Sequence, residues 1–308
     1  MSKTVPEITE GGAVRFLMPR AAQPHRPLFV FLPGMDGSGT LLETQLDSLG
    51  PCFDVRCLSI APHGEIEWAR LTRQVAQLIR DEVDRMSCVS INDKAEEVSR
   101  QRLRKLKRSQ SLRQSGKTPQ KAARRLVYLC GESFGGCLAM QVLTHAPELF
   151  DRVILINPAS SFRRLPWMQI GQMITQRLPS NVYRYGALGL VPFLIDPFRV
   201  GPRERRALEK AMDAVPPQTA AWRMSLLSRF EVERLPLERV THPVLLIAGG
   251  SDRLLPSKRE VRDLCRRFPN AQQHLLPQSG HACLLEKDVN LQKIMRQYGF
   301  TAAEPRFN

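Results

Sequence analysis

The stretch Gly131-Glu132-Ser133-Phe134-Gly135 fits the pattern G-x-S-x-G. A serine in that setting can act as a nucleophile if a base takes its proton and an acid orients the base. The residues before it, "RLVYLC", form an apolar run; those after it, "GGCLAMQVL", are apolar at helical spacing. The motif thus closes a predicted strand and opens a predicted helix, the context a nucleophile elbow requires. Glycines belong there because side chains on either flank of so tight a turn would clash. The start of the helix favours developing negative charge. The plainer reading is a glycine bend with an incidental serine.

The chain order expected for the remaining partners is an acid and then a histidine. "VLLIAGGSD" ends a predicted strand with Asp252 just beyond it, and "LLPQSGH" ends the next with His281 just beyond it. Either residue alone has a bland reading, Asp252 as a turn starter and His281 as a surface loop residue. Together, each at a strand tip and in the right order, they complete a triad with Ser133. His25 and His242 precede strands, His145 ends the helix after Ser133, and His274 lies inside a strand. His63 in "APHGE" is the competing base, and Asp196 in "FLIDPF" the reserve acid.

A second glycine turn, "FLPGMDGSG", follows an earlier strand. A loop at that place can supply one backbone N–H for an oxyanion hole, here that of Met35, with the N–H of Phe134 as the other. The spacing of Gly34, Gly37 and Gly39 is not the G-x-G-x-x-G of a dinucleotide loop. "SGKT" at Ser115–Thr118 imitates the end of a P-loop, but no strand precedes it and Ser111 stands where the first glycine should be.

Elements must hold these tips together. "AVRFLMP", "RPLFVFLPG", "FDVRCLSI", "RLVYLCG", "DRVILINPAS", "PVLLIAGGSD" and "QQHLLPQSGH" read as strands. Between and after them, "TLLETQLDSLG", "EIEWARLTRQVAQLIRDEVDRM", "SFGGCLAMQVLTHAPELF", "SKREVRDLCRRF" and "LLEKDVNLQKIMRQYGF" read as helices. Strands alternating with helices imply an α/β architecture with a mostly parallel sheet covered on both faces. Ligands then sit beyond the carboxyl ends of the strands. The expected organisation is a first half of the core over 1–160, a helical cap over 161–240, and a second half over 241–308 carrying the acid and the histidine.

The 308 residues hold apolar content enough for one large core. Seven scattered cysteines form no CxxC pair and no metal-ligand spacing, which argues against a disulfide framework or a zinc site. The N-terminus has no apolar segment of a secretory signal, and no apolar run is long enough to span a membrane. The net charge of +15 is uneven: residues 88–125 hold 12 Lys or Arg against 3 Asp or Glu. This insertion precedes the strand leading to Ser133, so it leaves the sheet at the rim away from the chemistry. Its plainest reading is a solvated mobile loop. Attraction of residues 99–125 to an anionic membrane is the second reading. Nucleic-acid binding is not expected, since the segment has no aromatic platform.

With these residues in place the chain resembles the α/β-hydrolase fold. "FLPGMDGSG", "GESFGGCLA", "INPASSF", "AGGSD" and "SGH" resemble, more narrowly, the hydrolase part of phytyl ester synthase-like proteins of plastids and cyanobacteria, with chlorophyll dephytylases a looser comparison. The resemblance covers most of Leu28 to Cys283, apart from the basic insertion. It implies an esterase, lipase or thioesterase acting on acyl chains and, for a peripheral membrane place, a thylakoid one; the cysteine usage, which fits a reducing compartment, makes the expected place cytoplasmic. Those synthases carry a further acyltransferase domain that would follow Asn308, so hydrolysis is expected over transfer. The basic insertion is a second departure from the family.

The expectation is therefore a serine esterase or lipase needing no cofactor or metal. Ser133 attacks, His281 shuttles the proton and Asp252 orients it. Trp167, Phe193 and Leu194 of the cap are expected to touch an apolar ester substrate. The alternatives are an acyltransferase using the same acyl-enzyme and a non-catalytic, membrane-associated relative.

Overall fold

Five consecutive side chains of "LFVFL" are buried, which happens only where a strand has packed layers on both faces. The computed structural model describes residues 13–62, 66–85, 125–175 and 180–301. Its strands are β1 (Val14–Leu17), β2 (Leu28–Leu32), β3 (Asp54–Ile60), β4 (Val127–Glu132), β5 (Arg152–Ile156), β6 (Val244–Gly249) and β7 (Ala271–Leu276). They form one sheet in the order β1-β3-β2-β4-β5-β6-β7. Only the β1–β3 pairing is antiparallel. The sheet is the mostly parallel one of the α/β-hydrolase fold, as expected.

The helices are α1 (Leu46–Leu49), α2 (68–85), α3 (Phe134–His145), α4 (Pro166–Thr175), α5 (Ser180–Gly189), α6 (Val191–Leu194), α7 (Pro202–Asp213), α8 (Pro217–Ser228), α9 (Ser257–Cys265) and α10 (Leu291–Gln297). The strand period of two sorts side chains between the faces. Leu28, Val30 and Leu32 join a core with Leu71 and Val75 of α2, Leu138 of α3 and Val261 of α9. Phe29 and Phe31 join the opposite core with Leu49 of α1 and Ile294 and Met295 of α10.

Two helical expectations change. "TLLETQLDSLG" is a 3-10 turn over Thr40–Gln45 followed by one α-helical turn, because Gly39 enters in the left-handed region and Leu42 N–H bonds back to the Gly39 carbonyl. The last helix is confined to α10, and "CLL" before it is a separate 3-10 turn. Buried Gln45 holds the break open: its Nε2 donates to the carbonyls of Leu284 (2.8 Å) and Val289 (2.9 Å), and its Oε1 accepts from Leu291 N–H (2.9 Å).

Helices α4 to α8 all lie in the β5–β6 connection, where the cap was expected. Helix α8 is fastened to the core by long-range bonds. Trp68 Nε1 donates to Leu226 O (2.7 Å), and Trp222 Nε1 to Ile66 O (2.9 Å). At the opposite rim, Arg56 is buried between Asp54 and Glu82 (2.6 Å each), and Arg125 reaches the other oxygen of Asp54 at 2.9 Å. The basic insertion lies outside the described residues, apart from Arg125. Among the described residues no helix is long and apolar enough to cross a membrane.

Candidate active site

Four strand ends build the site. Ser133 follows β4, Asp252 the end of β6, His281 the end of β7, and Met35 the end of β2. Because these strands are parallel, all four lie on one rim, the one favoured for ligands.

Ser133 has φ +54° and ψ −114°, a conformation a side chain rarely adopts. The surroundings enforce it. Its N–H donates to Ile156 O (3.0 Å), and its carbonyl accepts from Gly136 N–H (3.0 Å) and Ala159 N–H (3.1 Å). Strand and helix approach so closely that a Cβ on Gly131 would stand 2.3 Å from Gly135 O, and one on Gly135 would stand 2.0 Å from Leu32 O.

The structure brings the three predicted residues together. His281 Nε2 is 2.9 Å from Ser133 Oγ, and its Nδ1 is 2.8 Å from Asp252 Oδ2. With the Nδ1 proton donated to the carboxylate, Nε2 is left to accept from the serine hydroxyl. Asp252 is fixed in turn by Leu254 N–H (2.8 Å) and Leu255 N–H (3.0 Å) on Oδ1 and by the Ser257 hydroxyl on Oδ2. The reserve acid lies elsewhere, Asp196 accepting from Phe198 N–H at 2.9 Å, and His274, inside a strand, has its Nδ1 paired with the Tyr298 hydroxyl at 3.1 Å. His63 lies outside the described residues.

The loop of Met35 runs beside the serine; a Cβ on Gly34 would be 3.6 Å from Ser133 Cβ. Phe134 is the first residue of α3, where a helix N–H has no intrahelical acceptor. Among the described residues, neither the Met35 nor the Phe134 amide donates to an acceptor in a turn or loop. The Met35 carbonyl accepts from Arg223 Nη1 (2.5 Å), and Nη2 donates to Ile60 O (3.2 Å). This guanidinium is almost wholly buried, and burial lowers its pKa to about 10.

Several supporting residues were not foreseen. Glu286 is buried and takes Gly280 N–H (2.8 Å), Ser279 Oγ (2.8 Å) and Arg199 Nε (2.7 Å), which shapes the turn carrying His281. Asn157 stands at the β5 tip, and the strand-tip rule that found the triad would have found it too. Ser257 and Glu286 gave no such signal, because loop packing alone brings them in.

Electrostatics follow from this enclosure. Burial works against a charged His281 ring, but Asp252 and its hydrogen bond, with Glu132 and Glu260 nearby, outweigh it and hold the pKa above the ordinary 6.5. Burial would raise Asp252; the His281 charge and the hydrogen bonds from Ser257 and Leu255 more than offset it, so the carboxyl lies below its ordinary range. Burial pushes Glu132 up to about 7, with Asp36 adding to the rise and His281 opposing it.

Of the expected substrate residues, Leu194 is half-buried and its carbonyl accepts from Ala282 N–H (2.9 Å), one residue beyond His281. Phe193 is 49% exposed. The side chain of Trp167 lies outside the described residues. Among the described residues no group of three or more His, Cys, Asp or Glu is arranged to hold a metal ion.

Comparison with known proteins gives a family match over residues 112–288, to Hydrolase_4, described as "Serine aminopeptidase, S33". The chain is 27% identical over 296 residues to phytyl ester synthase 1, chloroplastic, of Arabidopsis thaliana, covering 89% of this chain and 37% of that protein. It is 29% identical over 167 residues to a pimeloyl-(acyl-carrier protein) methyl ester esterase of Nitrosomonas europaea, covering 51% of this chain and 65% of that one. The chain thus spans about two fifths of the length of the phytyl ester synthases it matches. In three dimensions it resembles a hydrolase from Oleispira antarctica, with a TM-score of 0.64 at 13% identity over 93% of this chain and 94% of that one.

Proposed function

The chain belongs to the Hydrolase_4 (serine aminopeptidase, S33) family, and from that premise we propose that it is a serine hydrolase cleaving carboxylic esters or thioesters of lipid-like acyl chains. The observation that carries the proposal is the continuous hydrogen-bonded line from Ser133 Oγ through His281 to Asp252. An aligned serine–imidazole–carboxylate line generates a nucleophile at neutral pH.

In this mechanism Ser133 Oγ attacks the carbonyl carbon while its proton passes to His281 Nε2. Asp252 keeps Nδ1 protonated and stabilises the imidazolium that forms. The carbonyl oxygen becomes an oxyanion held by the Met35 and Phe134 amides, at the positive end of α3. His281 returns its proton to the leaving alcohol or thiol as the tetrahedral intermediate collapses to the acyl-enzyme. Water, deprotonated by His281, then repeats the attack and releases the acid and Ser133. Every proton in the cycle moves through one ring nitrogen.

The lipid-like substrate is supported by the apolar residues of the β5–β6 connection and by the relatives whose names concern phytyl and pimeloyl esters. The test is labelling by a serine-directed fluorophosphonate together with hydrolysis of p-nitrophenyl esters of increasing acyl length. Labelling at Ser133 and a preference for long chains are expected. A short-chain preference would keep the esterase and remove the lipid substrate, and absence of labelling would remove the catalytic reading. Acyl transfer to an alcohol is the second reading, favoured by the similarity to a phytyl ester synthase. Competition between water and a lipid alcohol for the acyl group decides between the two. Contact of residues 99–125 with an anionic membrane is proposed on their charge alone.

The pH dependence also follows. Because His281 must be neutral to accept the proton, the acidic limb of kcat/KM is expected above pH 6.5. Glu132→Gln removes one carboxylate that favours the imidazolium, so the limb should move to lower pH; an unmoved limb would refute the coupling. Stability carries the opposite mark of the same group. The folded state holds a proton on Glu132 between the ordinary 4.5 and about 7 that the unfolded chain has released. That stabilising contribution is full below 4.5 and is lost as pH rises through 7. The glutamine variant never carries the buried carboxylate charge, so it should melt higher than the wild type above pH 7.

A further inference from the structure

We infer that Asn157 is a positioning residue that sets the catalytic base, an inference that rests on the reading of Ser133, His281 and Asp252 as the catalytic line. Asn157 is wholly buried at the tip of β5, in the left-handed region with φ +41°. Its side-chain Nδ2 donates to the backbone carbonyl of His281 at 2.6 Å and more weakly to that of Gly280 at 3.4 Å. Its Oδ1 accepts from Gly249 N–H at 2.7 Å. Its own N–H donates to Ile247 O at 3.0 Å, and the preceding carbonyl, that of Ile156, accepts from Ser133 N–H at 3.0 Å.

Two adjacent residues therefore bond to the segments that carry all three members of the line. The Ile156 carbonyl holds the nucleophile's amide. Asn157 Oδ1 holds the end of the strand that delivers Asp252. Asn157 Nδ2 holds the peptide of His281 itself. The imidazole is tied to Ser133 and Asp252 only through its two nitrogens, and neither bond fixes the height of its backbone above the sheet. The bond to the His281 carbonyl constrains that residue's own peptide, beside the bonds of its neighbours Gly280 N–H to Glu286 and Ala282 N–H to Leu194 O.

The residue type matches the task. The site needs a donor and an acceptor on one short side chain, and it needs tolerance of positive φ. Asparagine meets both, since it visits the left-handed region more readily than other non-glycine residues. Aspartate would bring a carboxylate oxygen against two carbonyl oxygens. Alanine would leave the His281 carbonyl and Gly249 N–H without these partners in a buried place. Glycine would relieve the backbone while deleting both side-chain bonds, which separates the two roles.

The experiment compares wild type with Asn157→Gly and Asn157→Ser, each assayed well below its own melting temperature, with fluorophosphonate labelling of Ser133 as a second readout. Loss of alignment at the reacting atoms is expected to lower kcat by about 10- to 100-fold with KM within about twofold, and to slow labelling in parallel. A merely structural role would lower the melting temperature and leave kcat and the labelling rate alone. If either variant folds and keeps both rates within about twofold of wild type, the inference is overturned. Failure of the wild type itself to label would sink the reading of Ser133 and this inference with it, an outcome distinct from a labelled wild type and unaffected variants.

Discussion

Ser133→Ala is expected to lower kcat for a p-nitrophenyl ester by about 10⁶-fold and to abolish fluorophosphonate labelling. The variant removes one oxygen, and alanine can occupy the same bend at the same backbone cost, so the fold should be unchanged. On the proposed mechanism, what is lost is the atom that would form the acyl-enzyme. His281→Ala should cost about as much, because a serine hydroxyl without its base is a poor nucleophile. The double variant should be no worse than either single one, since the residues act as a unit. Asp252→Asn should cost about 10⁴-fold while preserving geometry, because an amide facing Nδ1 favours the wrong tautomer. Steady-state rates with the four proteins check this. Ser133→Ala retaining more than about one per cent of wild-type turnover would remove Ser133 from the mechanism.

Gly135→Ala is expected to destroy the fold or to lower the melting temperature by at least about 10 °C. A Cβ at that position would lie 2.0 Å from Leu32 O, 2.5 Å from Leu32 C and 2.5 Å from Pro33 O. All three are backbone atoms of the strand end that leads to Met35, so no side chain can swing aside. Helix α3 would have to withdraw from β2 by about an ångström, opening both the core and the elbow. Losses of this kind reach about 4 kcal/mol or more, and in a chain of this size each kcal/mol is worth about 2–4 °C. Gly171→Ala is the control. It lies within α4, and nothing is within 4 Å of the added carbon. There alanine should be neutral or stabilising by up to about 1 kcal/mol. Equal thermal shifts for the two variants would contradict the close-packed elbow.

The parts of the site written in local sequence were legible, and those made by distant loops were not. Ser133 and Asp252 follow short apolar runs bounded by glycines, and His281 follows the more polar "QQHLLPQSG", all three read as strand ends, so their shared rim followed from the parallel sheet. Glu286 looked like one more charge in a helical stretch, "LLEKDVN". Its capture by Gly280 N–H and Ser279 is part of why that stretch is a turn. Gln45 is a polar residue in an amphipathic pattern, and only the fold shows it filling the gap before α10. Arg223 interrupts the apolar run "TAAWRMSLL" without naming its targets, because Met35 and Ile60 lie more than 150 residues away along the chain. Phe193 was read from composition as a pocket residue; an apolar residue on a four-residue helix gives no periodicity from which to judge its exposure.

The ion cluster of Arg56, Asp54, Glu82 and Arg125 has an evolutionary reading. Glu82 sits in the last turn of α2 and Arg125 stands two residues before β4. They are the gateposts of residues 86–124, joined through Asp54 and Arg56 of a third element. Breaking a buried pair by deleting one partner costs about 3–5 kcal/mol. Selection on the fold is therefore expected to bear on these four residues, whichever chain leads from Glu82 to Arg125.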